Sequence, residues 1–215
     1  MGLFETAFDA VKWGLTTNFR HIGRWLLLTV LSIIPIANIL SSGALLKVLT
    51  GEEPEIEPAG RTFLNGLLWL VISIIYMIIP VIIAAVSLIL LLNNGASAGA
   101  ALGIAGIIIS IILAVIISLI MIPAMIHFAR TGKFAKGFAF GEIFGMISNV
   151  GRGRYILAFI VMIIFAVLVG IVLGGISFLL TLIPVAGIVL ASIFGLLTLI
   201  PLICWVFKYW NNVFA

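Results

Sequence analysis

The sequence predicts an all-α integral membrane protein, a helical bundle of three consecutive hairpins. Three observations carry that reading. Of 215 residues, 64% are hydrophobic and only 8% charged, where soluble domains are nearer half apolar and a quarter charged. The charges are confined to a few short stretches, leaving 22 uncharged residues between Arg24 and Lys47, 68 between Arg61 and Arg130, and 53 between Arg154 and Lys208. Each long uncharged stretch contains turn formers near its middle. A mean hydropathy of +1.43 excludes a disordered chain and leaves no soluble domain to carry a nucleic-acid surface.

The whole chain reads as a single transmembrane domain, 1–215, with five parts. Residues 1–24 form an amphipathic segment. Phe4, Phe8, Val11 and Leu15 fall at i, i+4, i+7 and i+11, one helical face, with Glu5, Asp9, Lys12 and Thr16 opposite. With acids at Glu5 and Asp9 and no uninterrupted apolar core, this segment is not expected to be a signal peptide.

Residues 25–46 form a broken hairpin. Pro35 cannot continue a helix ladder and Asn38 tolerates the left-handed cap conformation, so Pro35 and Asn38 mark the helix break. Each arm is then about half the hydrocarbon thickness. One kinked span is the alternative, giving five full spans in place of four plus a re-entrant hairpin. The acidic loop Gly51–Pro58 follows, with four Glu and two Pro.

Residues 63–128 are a helical hairpin, about Phe63–Leu92 and Ala98–Phe128, turning at Asn93–Ser97. Residues 129–154 are a basic interfacial segment. Its second amphipathic stretch, 140–149, sets Phe140, Ile143, Phe144 and Ile147 on one face. Both amphipathic helices are expected either to lie in the membrane interface, aromatic face down, or to pack on the protein's own spans. Residues 155–207 are the last hairpin, about Tyr155–Ile183 and Ile188–Phe207, turning at Pro184-Val185-Ala186-Gly187 in preference to Gly174-Gly175. Ile34-Pro35 echoes Ile183-Pro184. Ile122-Pro123 echoes Ile200-Pro201, each with a basic residue seven positions after its Pro.

Charge sets the orientation. With both termini cytoplasmic, three hairpins place all 11 basic residues inside; five spans give at best eight inside and three outside. The positive-inside bias favours the hairpins and a plasma-membrane protein. Arg130, Lys133, Lys136, Arg152 and Arg154 are the expected contacts to anionic headgroups, each worth about 1 kcal/mol near such a surface.

The residues also suggest how helices pack. Gly95, Gly99 and Gly103 recur every four positions, as do Ala166, Gly170 and Gly174, and small residues at that interval let backbones approach closely. Within the chain they would seat one helix on another; between chains they would make a homo-oligomer.

Signals for chemistry are few. No Asp, Glu, Lys or Arg lies within 63–128 or 155–207, which argues against an ion-coupled transporter. The membrane serines have no base nearby in sequence. Glu142 is expected to pair with Lys136 or Arg152, and His21 and His127 to be interfacial. No catalytic residue, metal ligand or cofactor is expected. The expected partners are membrane lipids, then a second copy or another membrane protein, and no nucleic acid.

Ile34-Pro35-Ile36-Ala37-Asn38, the Gly51–Pro58 loop with Arg61-Thr62-Phe63-Leu64-Asn65-Gly66, and Phe128-Ala129-Arg130-Thr131-Gly132-Lys133-Phe134 together resemble an archaeal membrane family, the domain-of-unknown-function family 4013. The resemblance implies a multi-pass plasma-membrane protein and no activity. The function expected is non-enzymatic: organising lipid or binding a partner through the basic face. The alternative is a channel or carrier for lipid or small solute that uses the broken first hairpin.

Overall fold

The computed structural model describes residues 2–56, 58–93 and 98–215, which form eight α-helices and no strand. In chain order these are α1 Leu3–Arg20, α2 Ile22–Ile33, α3 Pro35–Leu49, α4 Ala59–Asn93, α5 Ala98–Thr131, α6 Phe140–Val150, α7 Arg152–Thr181 and α8 Gly187–Val213, with a 3-10 turn at Phe134–Phe138 before α6. The fold is an all-α membrane bundle. Four helices, α4, α5, α7 and α8, are long and apolar enough to cross a membrane.

These four helices run from about 40 to about 52 Å at helical rise, beyond the roughly 30 Å of hydrocarbon. The start of α4, the end of α5, the start of α7 and the end of α8 share one end of the bundle, hereafter the basic end. Buried residues gather towards it: Ala124–Ile126 and Phe128 on α5, Tyr155, Ala158 and Phe165 on α7, Cys204, Trp205, Tyr209 and Trp210 on α8. Beyond Phe165, no residue of α7 is buried. Exposed Ile and Leu dominate the distal halves of α4, α5 and α7, which suits lipid, a solvent as apolar as the side chains themselves.

The first hairpin is broken as expected at Pro35, which stands at the first position of α3 after the extended residue Ile34. Proline favours that position because its φ is already helical and it needs no N–H there. Asn38 does not cap the break. It lies inside α3, where its N–H donates to the Ile34 carbonyl at 2.7 Å and its Oδ1 accepts from Ser42 Oγ at 3.2 Å. One extended residue before a proline restarts the helix, so no longer turn is required.

The two arms have 12 and 15 residues, about 18 and 22 Å, too short to cross. They lie against each other: Ser41 Oγ donates to the Leu28 carbonyl at 3.2 Å and the Ser32 and Ser41 hydroxyls meet at 3.0 Å. Arg24, near the start of α2, donates to Glu53 at 2.5 Å and Glu55 at 3.3 Å, beyond the end of α3. The segment therefore enters and leaves on one side, which removes the five-span alternative.

The last hairpin turns where Pro184 and Gly187 place it, between Thr181 and Gly187. Pro80, Pro123 and Pro201 are instead accommodated inside continuous helices. Residues 94–97, with the Asn93–Ser97 turn and Gly95, lie outside the described residues apart from Asn93.

The small-residue readings divide. Gly103 of α5 faces the backbone of α4, where an added Cβ would stand 2.7 Å from the Ser87 carbonyl oxygen. Gly99 is half-buried beside it. Gly170 and Gly174 are a correction: a Cβ on either meets nothing within 4 Å, and both are exposed on α7, so they seat no helix of this chain. The closest crossing is one that periodicity did not flag. A Cβ on Gly43 of α3 would lie 1.8 Å from the Thr62 carbonyl oxygen, and one on Gly66 of α4 1.9 Å from that of Ile39.

α1 packs along α8 and α7, mainly by its small residues, with the rings of Phe4 and Phe8 resting against Phe165 of α7. Thr6, Ala7, Ala10, Gly14 and Thr17 are buried; Phe4, Phe8 and Leu15 stay exposed. α6 likewise buries Ile143 completely and exposes Phe140 and Phe144. Each amphipathic helix thus packs on the protein's own helices, as the second expectation has it, and leaves aromatic rings partly exposed.

Candidate functional site

The basic end carries a cleft of about 570 Å³. α3 supplies Lys47 from its last turn and Thr50 from its cap. Arg61 and Asn65 come from α4, four residues apart and so on one face. α5 supplies Arg130 and Thr131, and its exit supplies Lys133; Gly43 and Phe128 complete the walls. Gly132 ends α5 with φ +65°, its N–H donating to the Phe128 carbonyl at 2.8 Å. A left-handed glycine is the common device for ending a helix, and here it turns Lys133 back towards the cleft.

Four cations face one acid, Glu52, among the lining residues. Helix dipoles do not set the sign. α4 directs its N-terminus here while α3 and α5 direct their C-termini, each worth about half a charge. The side-chain cations decide it. Arg130 is held in place, donating to the Phe214 carbonyl at 3.1 Å and to Asn211 Oδ1 at 3.2 Å. Among the described residues, no carboxylate lies within ion-pair distance of Arg61 or Lys133, and both are exposed. The arrangement suits a phosphate-bearing anion.

The remaining acids are mostly occupied elsewhere. Glu53 accepts from Arg24, whose hydrogen bond holds its carboxyl below the usual range. Glu142 pairs with Lys136, as expected, and also accepts from His127 Nε2 at 2.7 Å. The Lys136 hydrogen bond first, then that of His127, holds the Glu142 carboxyl below its ordinary value. These pairs fasten α2 to the loop after α3, and α6 to α5.

The five residues expected at the headgroups are therefore distributed over four places. Arg130 and Lys133 line the cleft. Lys136 is committed to Glu142. Arg154 borders a second hollow with Asn149 and Asn212, and Arg152 borders an apolar groove. Lys47, Arg61 and Asn65 were not singled out from sequence. Their signal was topological: once the first hairpin closes, the end of α3 and the start of α4 must meet the end of α5.

The family model described as "Protein of unknown function (DUF4013)" matches residues 27–179, more than half of the chain. The chain belongs to the DUF4013 family. No curated protein and no solved structure matches it. The DUF4013 match opens within α2 and closes at the end of α7, so it includes every residue of the cleft. It leaves out α1 and α8, and with α8 the two groups, Asn211 and Phe214, that hold Arg130.

Proposed function

We propose that the protein is a non-enzymatic membrane organiser that holds anionic lipid headgroups in the cleft of Lys47, Arg61, Arg130 and Lys133. The observation that carries this reading is the convergence of four cations from three helices and a loop on one cavity in which Glu52 is the one acid among the described lining residues. The charge count favours the plasma membrane with the basic end and both termini cytoplasmic, facing the leaflet that attracts polybasic surfaces. The carrier reading has less support: Asn38 is exposed, its side chain is engaged by Ser42, and the arms of the broken hairpin close on each other at Ser32 and Ser41.

The test compares the full-length protein with the double variant Arg61→Gln, Lys133→Gln in detergent. Native mass spectrometry reads retained phosphatidylglycerol against phosphatidylcholine. Removing two cations at about 1 kcal/mol each weakens retention of the phosphatidylglycerol held in the cleft roughly 30-fold, so that one fewer is carried per protein, and leaves phosphatidylcholine unchanged. An unchanged number of bound phosphatidylglycerol molecules in the variant overturns the assignment.

A further inference from the structure

We propose a second, separate lipid site: a slot between α5 and α7 that takes one anionic phospholipid, phosphate on Arg152 and one acyl chain in the groove. It does not depend on the cleft.

The backbones of α5 and α7 do not approach closely, as those of α4 and α5 or α7 and α8 do. One strut joins them near the basic end, where Tyr155 Oη donates to the Leu119 carbonyl at 2.7 Å. Beside the strut lies a groove of about 480 Å³, within the size range of small-molecule sites. Its trough is hydrocarbon, from Ile116 and Ile120 on α5 and Ile156 on α7, under the edge of α6 at Ile147.

Its polar groups are placed unevenly. The Tyr155 hydroxyl is taken by the strut. Ser148 and Arg152 sit where α6 passes into α7, both exposed, and among the described residues no carboxylate pairs with Arg152. Arg152 also opens α7, whose first turn has no side-chain cap, so the helix dipole adds to the positive potential there.

Charge and shape together select the occupant. A neutral hydrocarbon leaves the guanidinium unmatched, and a free phosphate leaves the isoleucine trough empty. A packed helix from a second copy would bring an apolar surface past an unpaired Arg152. A phosphate ester with a long tail satisfies both ends. Its chain would fill the gap between two hairpins that the protein itself leaves open.

The test uses the full-length protein with phosphatidylglycerol, phosphatidylcholine and soluble glycerol phosphate as probes, read by native mass spectrometry. The background is Arg61→Gln, Lys133→Gln, which disables the cleft. One phosphatidylglycerol is expected to remain bound in that background. Ile116→Trp fills the trough and abolishes this binding; Arg152→Gln weakens it roughly fivefold. Ile116 and Ile156 are both half-exposed, so Ile156→Trp repeats the test if Ile116→Trp does not fold. Glycerol phosphate does not compete.

Three results overturn the slot: no phosphatidylglycerol left once the cleft is disabled, unchanged retention in both tryptophan variants, or equal competition by glycerol phosphate. Loss in the slot variants with an unaltered cleft variant instead refutes the cleft and leaves the slot standing.

Discussion

Gly66→Ala is expected to be among the most damaging single-methyl additions in this chain. α3 and α4 cross at Gly43 and Gly66 with backbone against backbone. A Cβ on Gly66 stands 1.9 Å from the Ile39 carbonyl oxygen, so the two helices have to separate by about 1.5 Å to restore an ordinary contact of 3.4 Å. No side chain can rotate away to relieve this, and α3 is braced from behind by α8. Overpacking costs about 1–3 kcal/mol; two backbones in opposition put Gly66→Ala at the upper end, about 3 kcal/mol. For a chain of this size that lowers the melting temperature by roughly 6–12 °C. The assay is built into the sequence. Cys204 is the only cysteine and is fully buried, so a thiol-reactive dye reports unfolding in detergent. Gly170→Ala is the control, because its new methyl meets nothing within 4 Å and alanine is the better helix former by about 1 kcal/mol; it melts at or slightly above the parent. Equal melting of Gly66→Ala and the parent, or an equal drop in Gly170→Ala, refutes the crossing.

Two further outcomes follow from the same geometry. Glu142→Gln removes the shared partner of Lys136 and His127. Because the folded-state carboxyl titrates below its ordinary value of 4.5, its stabilisation is complete above that value and is lost as pH falls through the lower one. A melting series from neutral pH to well below 4.5 therefore declines more steeply for the parent than for the variant, and superimposable series refute the pairing. In a Cys204→Ser background, single cysteines at positions 12 and 55 are labelled by an impermeant thiol reagent from one face of sealed vesicles and a cysteine at position 185 only from the other; labelling of 12 together with 185, and not 55, establishes a full first span.

Much of the fold was legible because it depends on where chain-breaking and charged residues fall. Pro35 and Pro184 each mark a helix end, and Lys136 with Glu142 form a pair six residues apart. What was not legible shares one physical cause. Hydrophobic periodicity identifies the buried face of a helix when the solvent is water. In lipid the correlation weakens, because apolar faces can stay outside and small residues make the contacts. Hence the aromatic face of α1 was visible and its docking face, Ala7, Ala10 and Gly14, was not. The same cause misdirects the glycines. Gly170 and Gly174 have the right spacing on a lipid-facing surface, whereas Gly43 and Gly66 are too far apart in sequence to form any pattern. The cleft was hidden for a related reason, since its four cations come from three helices and a loop and only closure of the first hairpin brings them together.

The distribution of packing bears on what such a molecule can hold. Cations position a headgroup only if their backbones are fixed, and site geometry is most reliable on rigid elements. Here the fixed region is the basic end. Tyr209 Oη donates to the Ala158 carbonyl at 2.8 Å, Tyr76 Oη to that of Gly137 at 2.9 Å and Trp25 Nε1 to that of Leu197 at 3.0 Å. Each is a long aromatic side chain tying one helix or turn to the backbone of another, and carbonyl acceptors need no particular side chain opposite. Among the described residues, the distal halves of α4, α5 and α7 have no such aromatic tie and present isoleucine and leucine to their surroundings. One end is therefore specific and the other compliant. A protein that recognised a solute at mid-membrane would need its polar ties there, around a cavity. One that grips headgroups needs them at the surface, with hydrocarbon below left free to meet lipid chains, and this is the side on which the paired charges and most of the packed rings of this chain lie.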